Sequence, residues 1–267
     1  MTDTSCASTD KTDALPFFTV LFGSFGLIVD KFRYFVQMGL PFALFLGLFY
    51  IICGQDAACL LKSGPYCSKS FTFFVLTRAI VLFLMCMFMR NWYLVALKGQ
   101  DLSPKQILLP RLADVKILFL VLANMISWLI AGGAFYLLSV RVPNPDWRIE
   151  LAYFAVVSVF FLAPVLATRF LSWIAFAAED APLPSPATIL KKTAGRSVLL
   201  FVSLVVILLV SLFIQQSILQ KVLLQSSLAF YQLVFSEWFI ETIAVLIVCM
   251  FMNYCALQKH FFFEDKK

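Results

Sequence analysis

The stretch "ATRFLSWIAFAAEDAPLPSPATILKKTAGR", Ala167 to Arg196, decides how this chain is read. An arginine sits inside an apolar run, an acidic and proline-rich turn follows, and two lysines precede a return to hydrophobic sequence. Ser185 and Pro186 stand in the order of an N-cap and a first helical residue, because a serine oxygen accepts from an orphan amide and proline lacks one. The spacing predicts a short interfacial helix with Ile189 and Leu190 toward lipid and Lys191 and Lys192 toward headgroups. Gly195 then bends the chain into the next apolar run. The segment reads as a cytoplasmic elbow that turns the chain and returns it to a bilayer.

The rest of the sequence agrees with that setting. Apolar residues make up 62% and charged residues 13%, with 30 Phe, against roughly 45–50% apolar in a soluble domain. Six runs reach or approach the roughly 20 residues that a helix needs to cross about 30 Å of hydrocarbon: Tyr34–Cys53, Phe71–Met89, Ile117–Val140, Leu151–Ala177, Val198–Ile218 and Phe239–Leu257. They are continuously apolar rather than alternating, so helices and not barrel strands are expected. The fold class is therefore all-α, a single polytopic transmembrane domain over residues 14–267. The polar residues 1–13 form a disordered cytoplasmic tail without the apolar core of a signal peptide.

Lysine and arginine fall unevenly between the runs. Lys11, Lys31 and Arg33, then Arg90, Lys98, Lys105, Arg111 and Lys116, then Lys191, Lys192 and Arg196, and finally Lys259, Lys266 and Lys267 share one side. The other side has only Lys62, Lys69, Arg141, Arg148 and Lys221. The positive-inside rule places both termini in the cytoplasm. The net charge of +6 then reflects topology and attraction to anionic membrane lipids, not a nucleic-acid partner.

A second elbow has the same plan as the first: "SPKQIL" at Ser103–Leu108 matches "SPATIL" at Ser185–Leu190 in four of six positions. A third short apolar run of about 14 residues starts at Pro16 and is too short to span. The chain can thus be divided into three parallel repeats, 16–103, 104–185 and 186–258, each an interfacial helix followed by a helical hairpin. The alternative is that Ser-Pro is a common helix opening and the match is coincidental.

Residues suited to chemistry are few. His260 is the one histidine and reads as an interfacial residue beside Phe261–Phe263. There is no C-x-x-C pair, phosphate loop or dinucleotide fingerprint, so no enzyme, metal or cofactor is expected. Cys59 and Cys67 flank the Gly64-Pro65 turn on the non-cytoplasmic side, where a disulfide is allowed. Two free thiols, or competition from Cys53, are the alternatives. Charges inside spans are costly. Arg78 and Glu241 fall at similar depths in the second and sixth runs, about 10 Å from the outer surface, and are a candidate intramembrane pair. Arg90 and Arg169 lie near inner span ends and, with Lys191 and Lys192, are candidate lipid-headgroup contacts.

The segment Arg169–Phe201, with Arg169, Ala178, Asp180, Ala187, Thr193, Gly195 and Phe201 in place, resembles a pattern in uncharacterised bacterial six-span inner-membrane proteins. The membrane domain fused to some glycerophosphodiester phosphodiesterases is similar in layout. The pattern departs at Pro184 and Pro186. The resemblance implies a six-span fold and a bacterial inner-membrane location, and no activity. Two functions follow as expectations: a scaffold or accessory factor that organises lipids or membrane complexes, or a transporter of a lipid or small molecule. The thin polar lining of the spans favours the scaffold.

Overall fold

The computed structural model describes residues 17–53, 68–141, 160, 162–224 and 229–264. The described residues are helical throughout, joined by short turns. Helix α1 covers Phe17–Asp30, the short apolar run that follows Pro16. Three segments then continue one another as α2: Phe32–Tyr34, a π-helical stretch Phe35–Gly39, and Leu40–Cys53. Helix α3, Ser68–Trp92, also ends in a π segment, Tyr93–Leu97. The short α4 is Pro104–Leu108 and α5 is Leu112–Arg141. Helix α6, Leu162–Ala178, is interrupted by a 3-10 turn at Thr168–Phe170. Then come α7, Pro186–Lys192, α8, Ser197–Leu224, and α9, Ala229–Phe263.

Four stretches are long and apolar enough to cross a membrane: Phe32–Phe49, Val75–Leu97, Leu112–Gly133 and Trp238–Phe263. A fifth is added if α7 and the start of α8, bent by 91° from each other, count as one span. The fourth run of the sequence, Leu151–Ala177, lies partly outside the described residues, and residues 1–13 and the loop with Cys59 and Cys67 lie wholly outside them.

Both Ser-Pro elbows form as their sequences require. The Ser103 hydroxyl accepts from the Gln106 amide at 3.4 Å, and the Gln106 side chain accepts from the Ser103 amide at 3.0 Å, a reciprocal capping box. Ser185 accepts from the Thr188 amide at 3.2 Å. Gly195 has φ +73°, a conformation open to glycine, where α7 turns into α8. One expectation fails: Ile189 is fully buried rather than facing lipid, while Leu190 is 39% exposed. The inner face of α7 is held down on the 3-10 turn of α6 by Arg169, which leaves its first apolar residue inside.

Helix α9 is the central post. It packs most extensively on α2 and also against α1, α3, α6 and α8. Gly47 permits the approach of α2, since a Cβ there would come within 3.0 Å of the Trp238 Cα. The core around α9 includes Trp92, Ile174, Leu204, Val245, Met252 and Tyr254. Its outer surface is apolar too, with Phe119, Leu129 and Phe213 exposed, as expected for side chains that face hydrocarbon rather than water.

Candidate functional site at one end of the bundle

The starts of α2, α5 and α8 and the ends of α3, α6 and α9 meet at one end, together with α4 and α7. Phe35 against Trp92, Lys116 with Asp180 and Lys192 over Phe263 tie these ends together. This end carries three sets of polar groups.

The first set closes the corner between α3, α4 and α5. Arg90 is 1% exposed and donates to Asp114 Oδ2 at 2.5 Å, to Asn91 Oδ1 at 3.0 and 3.3 Å, and to the carbonyls of Gln106 and Leu109. Asn91 donates in turn to the Ile107 carbonyl at 2.9 Å. Asp114 also accepts from the Arg111 amide at 2.7 Å, in the first turn of α5. Two adjacent residues of α3 thus pin the carbonyls of α4, which leaves Leu108 and Leu109 outward at 76% and 63% exposure. The expected headgroup contact of Arg90 is corrected accordingly. Its guanidinium faces inward because a partner carboxylate and unpaired helix-end carbonyls are already in place there.

The second set lies along the last turns of α9. Asn253 accepts from the Trp92 indole at 2.9 Å and donates to the Ser24 carbonyl at 3.0 Å, which joins α3, α9 and α1. Tyr254 donates to the Leu200 carbonyl at 2.7 Å. Gln258 accepts from the Ser172 amide at 2.8 Å and donates to the Thr168 carbonyl at 2.9 Å. Those two backbone groups are the pair that would bond each other in an unbroken α-helix. The side-chain amide is inserted into the ladder of α6, which is one of the recognised causes of a helix break. Each of these side chains is buried and matched, as a polar group removed from water must be.

The third set is an ionic network half open to solvent. Glu179, just past α6, accepts from Lys98 at 2.8 Å and from the Tyr93 hydroxyl at 2.8 Å, and its other oxygen accepts from Lys259. Lys98 also reaches Glu264 at 3.3 Å, and His260 Nδ1 lies 2.5 Å from the same carboxylate. Burial acts to raise the Glu179 carboxyl, but hydrogen bonds from Lys259, Lys98 and Tyr93 outweigh it and hold the pKa at about 2. Glu264 is lowered mainly by His260, and Lys98 is raised mainly by Glu179. Lys259 is 5% exposed. In the sequence it stands beyond the last apolar run, which ends at Leu257, but α9 continues to Phe263 and buries it.

Next to this network the chain makes a Schellman turn: the Ala181 amide donates to the Phe176 carbonyl at 3.0 Å and the Asp180 amide to Ala177 at 3.1 Å. Asp180 takes the left-handed position with φ 56°, where glycine is usual, and pairs with Lys116 at 3.1 Å.

The remaining sequence candidates are placed as follows. Arg169 is half-buried and donates to Thr193 Oγ1 at 2.6 Å and to the Leu190 carbonyl, so it latches α6 to the end of α7. Lys191 and Lys192 are exposed, with Lys192 Nζ 5.0 Å from the Phe263 ring centre. Arg78 is exposed on α3 and Glu241 is buried on α9, both toward the opposite end from Arg90 and Lys259. The residues missed by sequence reasoning are Asp114, Glu179, Asn253, Gln258 and Lys259. The signal open to it was the clustering of Asn253, Gln258 and Lys259 within two turns of an otherwise apolar helix.

No protein-family model, curated protein or solved structure matches this chain.

Proposed function

We propose that the chain is a non-catalytic, multi-pass protein of a bacterial inner membrane, with six spans and cytoplasmic termini. In this reading it acts as a scaffold or accessory factor that organises lipids or membrane complexes around its basic end. The observation that carries the reading is how the buried polar groups are used. Arg90 and Asp114 bond to each other and to helix ends, and Asn253, Gln258 and Lys259 each bond to groups of neighbouring helices or of the turn that follows one. A transport pathway needs such groups turned toward a passage for its cargo, whereas here they fasten helices.

The exposed Lys105, Lys191 and Lys192, beside exposed Leu108, Leu109 and Leu190, suit a surface that draws anionic headgroups toward the bundle. The six-span orientation is tested by reporters at Ser103 and after Lys267, expected to be cytoplasmic, and at Gly64, expected not to be. The function is tested in proteoliposomes with trace fluorescent lipid. Self-quenching of an anionic probe should rise with protein while a neutral probe is unaffected, and neither probe should cross the bilayer faster than in empty vesicles. Accelerated crossing would replace the scaffold by a lipid transporter.

A further inference from the structure

A furrow of about 420 Å³ runs between α2 and α3 and is closed at one end by α4. Its walls are apolar, and they are joined where Phe42 of α2 stacks directly on Phe88 of α3 with ring centres 4.8 Å apart. The polar side chains in its lining, Gln37 and Asn91, both lie at the α4 end. From Asn91 to Leu84 the furrow follows α3 for about two turns, roughly 10 Å, a large part of the approximately 15 Å of one hydrocarbon leaflet. Both walls belong to stretches apolar enough to cross a membrane. Rim residues Phe45 and Leu108 are 52% and 76% exposed, so the furrow opens sideways.

The geometry points to a binding site for one acyl chain of an anionic phospholipid, with its phosphate at the Gln37 end. This rests on the reading of the chain as a bilayer-embedded, lipid-organising protein and names where one lipid is held. An apolar furrow open to hydrocarbon excludes water and must be filled by something that bends into it. A helix is too thick: two turns with side chains, 10–12 Å across and about 11 Å long, enclose roughly 850 Å³ or more. A single acyl chain is slender enough.

Because an acyl chain is equally apolar in the bilayer, the furrow gains no hydrophobic advantage over bulk lipid. Selection therefore falls to the headgroup. Exposed Arg33 stands four residues before Gln37 on α2, and exposed Lys105 stands three residues before Leu108 on α4. Each spacing puts a cation one turn from the polar mouth. The mouth is also fixed, since Asn91 and Arg90 hold the carbonyls of Ile107 and Leu109.

The test is native mass spectrometry of the full chain released from nanodiscs that contain equal phosphatidylglycerol and phosphatidylcholine. One phosphatidylglycerol per chain should be retained in preference. Each of Arg33→Gln and Lys105→Gln should weaken retention about fivefold, the effect of about 1 kcal/mol per headgroup cation. Leu84→Trp, which fills the furrow, should abolish it. If that variant fails to fold, the two exposed glutamine variants decide the matter alone. Retention of phosphatidylglycerol that survives both glutamine changes, or survives a folded Leu84→Trp, would sink the site while leaving the lipid-organising reading in place. Equal retention of the two lipids, or of detergent only, by the unaltered chain would sink both.

Discussion

Two ion clusters stand at the same end of the bundle and are built on opposite plans. At the α3–α4–α5 corner, Arg90 and Asp114 are 1% and 0% exposed, and among the described residues each has the other as its single charged partner within salt-bridge range. Beside α6 and α9, Glu179 is shared by Lys98 and Lys259, and Lys98 and Lys259 both also reach Glu264. There the carboxylates are 23% and 38% exposed. Where water is excluded, a lost partner leaves an uncompensated charge. Where water enters, several weak partners replace one another. The first plan fixes a geometry, and the second tolerates change.

The sharpest way to break this contrast is to remove one half of the sealed pair. Arg90→Leu should cost about 3–5 kcal/mol, as expected for a buried charge left alone, measured as thermal unfolding in detergent. Arg90→Leu combined with Asp114→Leu should recover much of that loss, though not all, because the Gln106 and Leu109 carbonyls still lack their donor. Simple addition of the two single effects would mean that the pair is not coupled.

The open network should respond less, and should respond to pH. Glu179→Gln is expected to cost about 1.5–3 kcal/mol at neutral pH, the range for hydrogen bonds to a charged group, since Lys98 and Lys259 keep Glu264 within reach. The sign follows from a folded pKa of about 2 against an ordinary 4.5. The contribution is fully present above about pH 4.5 and is lost as the pH falls toward 2. Unfolding followed over that window should show a decline in the unaltered protein that is reduced in Glu179→Gln. A decline of the same size in both would remove Glu179 from the account.

The smallest effect tests the turn that joins the two clusters. Asp180→Gly relieves a left-handed residue at a gain of about 1 kcal/mol and gives up an exposed bridge to Lys116 worth about 0–1 kcal/mol. A slight net stabilisation is expected. A clear loss in thermal stability would show that the Asp180–Lys116 contact matters more than its exposure suggests.

What the sequence revealed follows the range over which each interaction acts. The Ser103 and Ser185 caps, the bend at Gly195 and the apolar helices depend on neighbours within a turn or two, and all were legible. The inward turn of Arg90 was not, because its partner Asp114 lies on another helix and becomes a partner only when α3 and α5 pack. Ile189 was misplaced for the same reason: a short helix shows which residues are apolar, but not which side Arg169 will pull down. The insertion of Gln258 into α6 needs the backbone of one helix and the side chain of another, so neither segment announces it. Nor do the π segments at Phe35–Gly39 and Tyr93–Leu97 leave a mark in composition.

The contact between α2 and α9 at Gly47 also sets a schedule for biogenesis. The roughly 190 residues from Gly47 to Trp238 take on the order of 10–40 s to synthesise at about 5–20 residues per second. Throughout that interval α2 is already made while its principal neighbour does not yet exist, and the same holds for the sites on α1, α3 and α6 that await Asn253, Gln258 and Lys259. Assembly must therefore close from the C-terminal side. A ribosome that stalls before α9 leaves behind not a shorter version of the bundle but a set of inserted helices without their organising strut, the kind of product that membrane quality control removes.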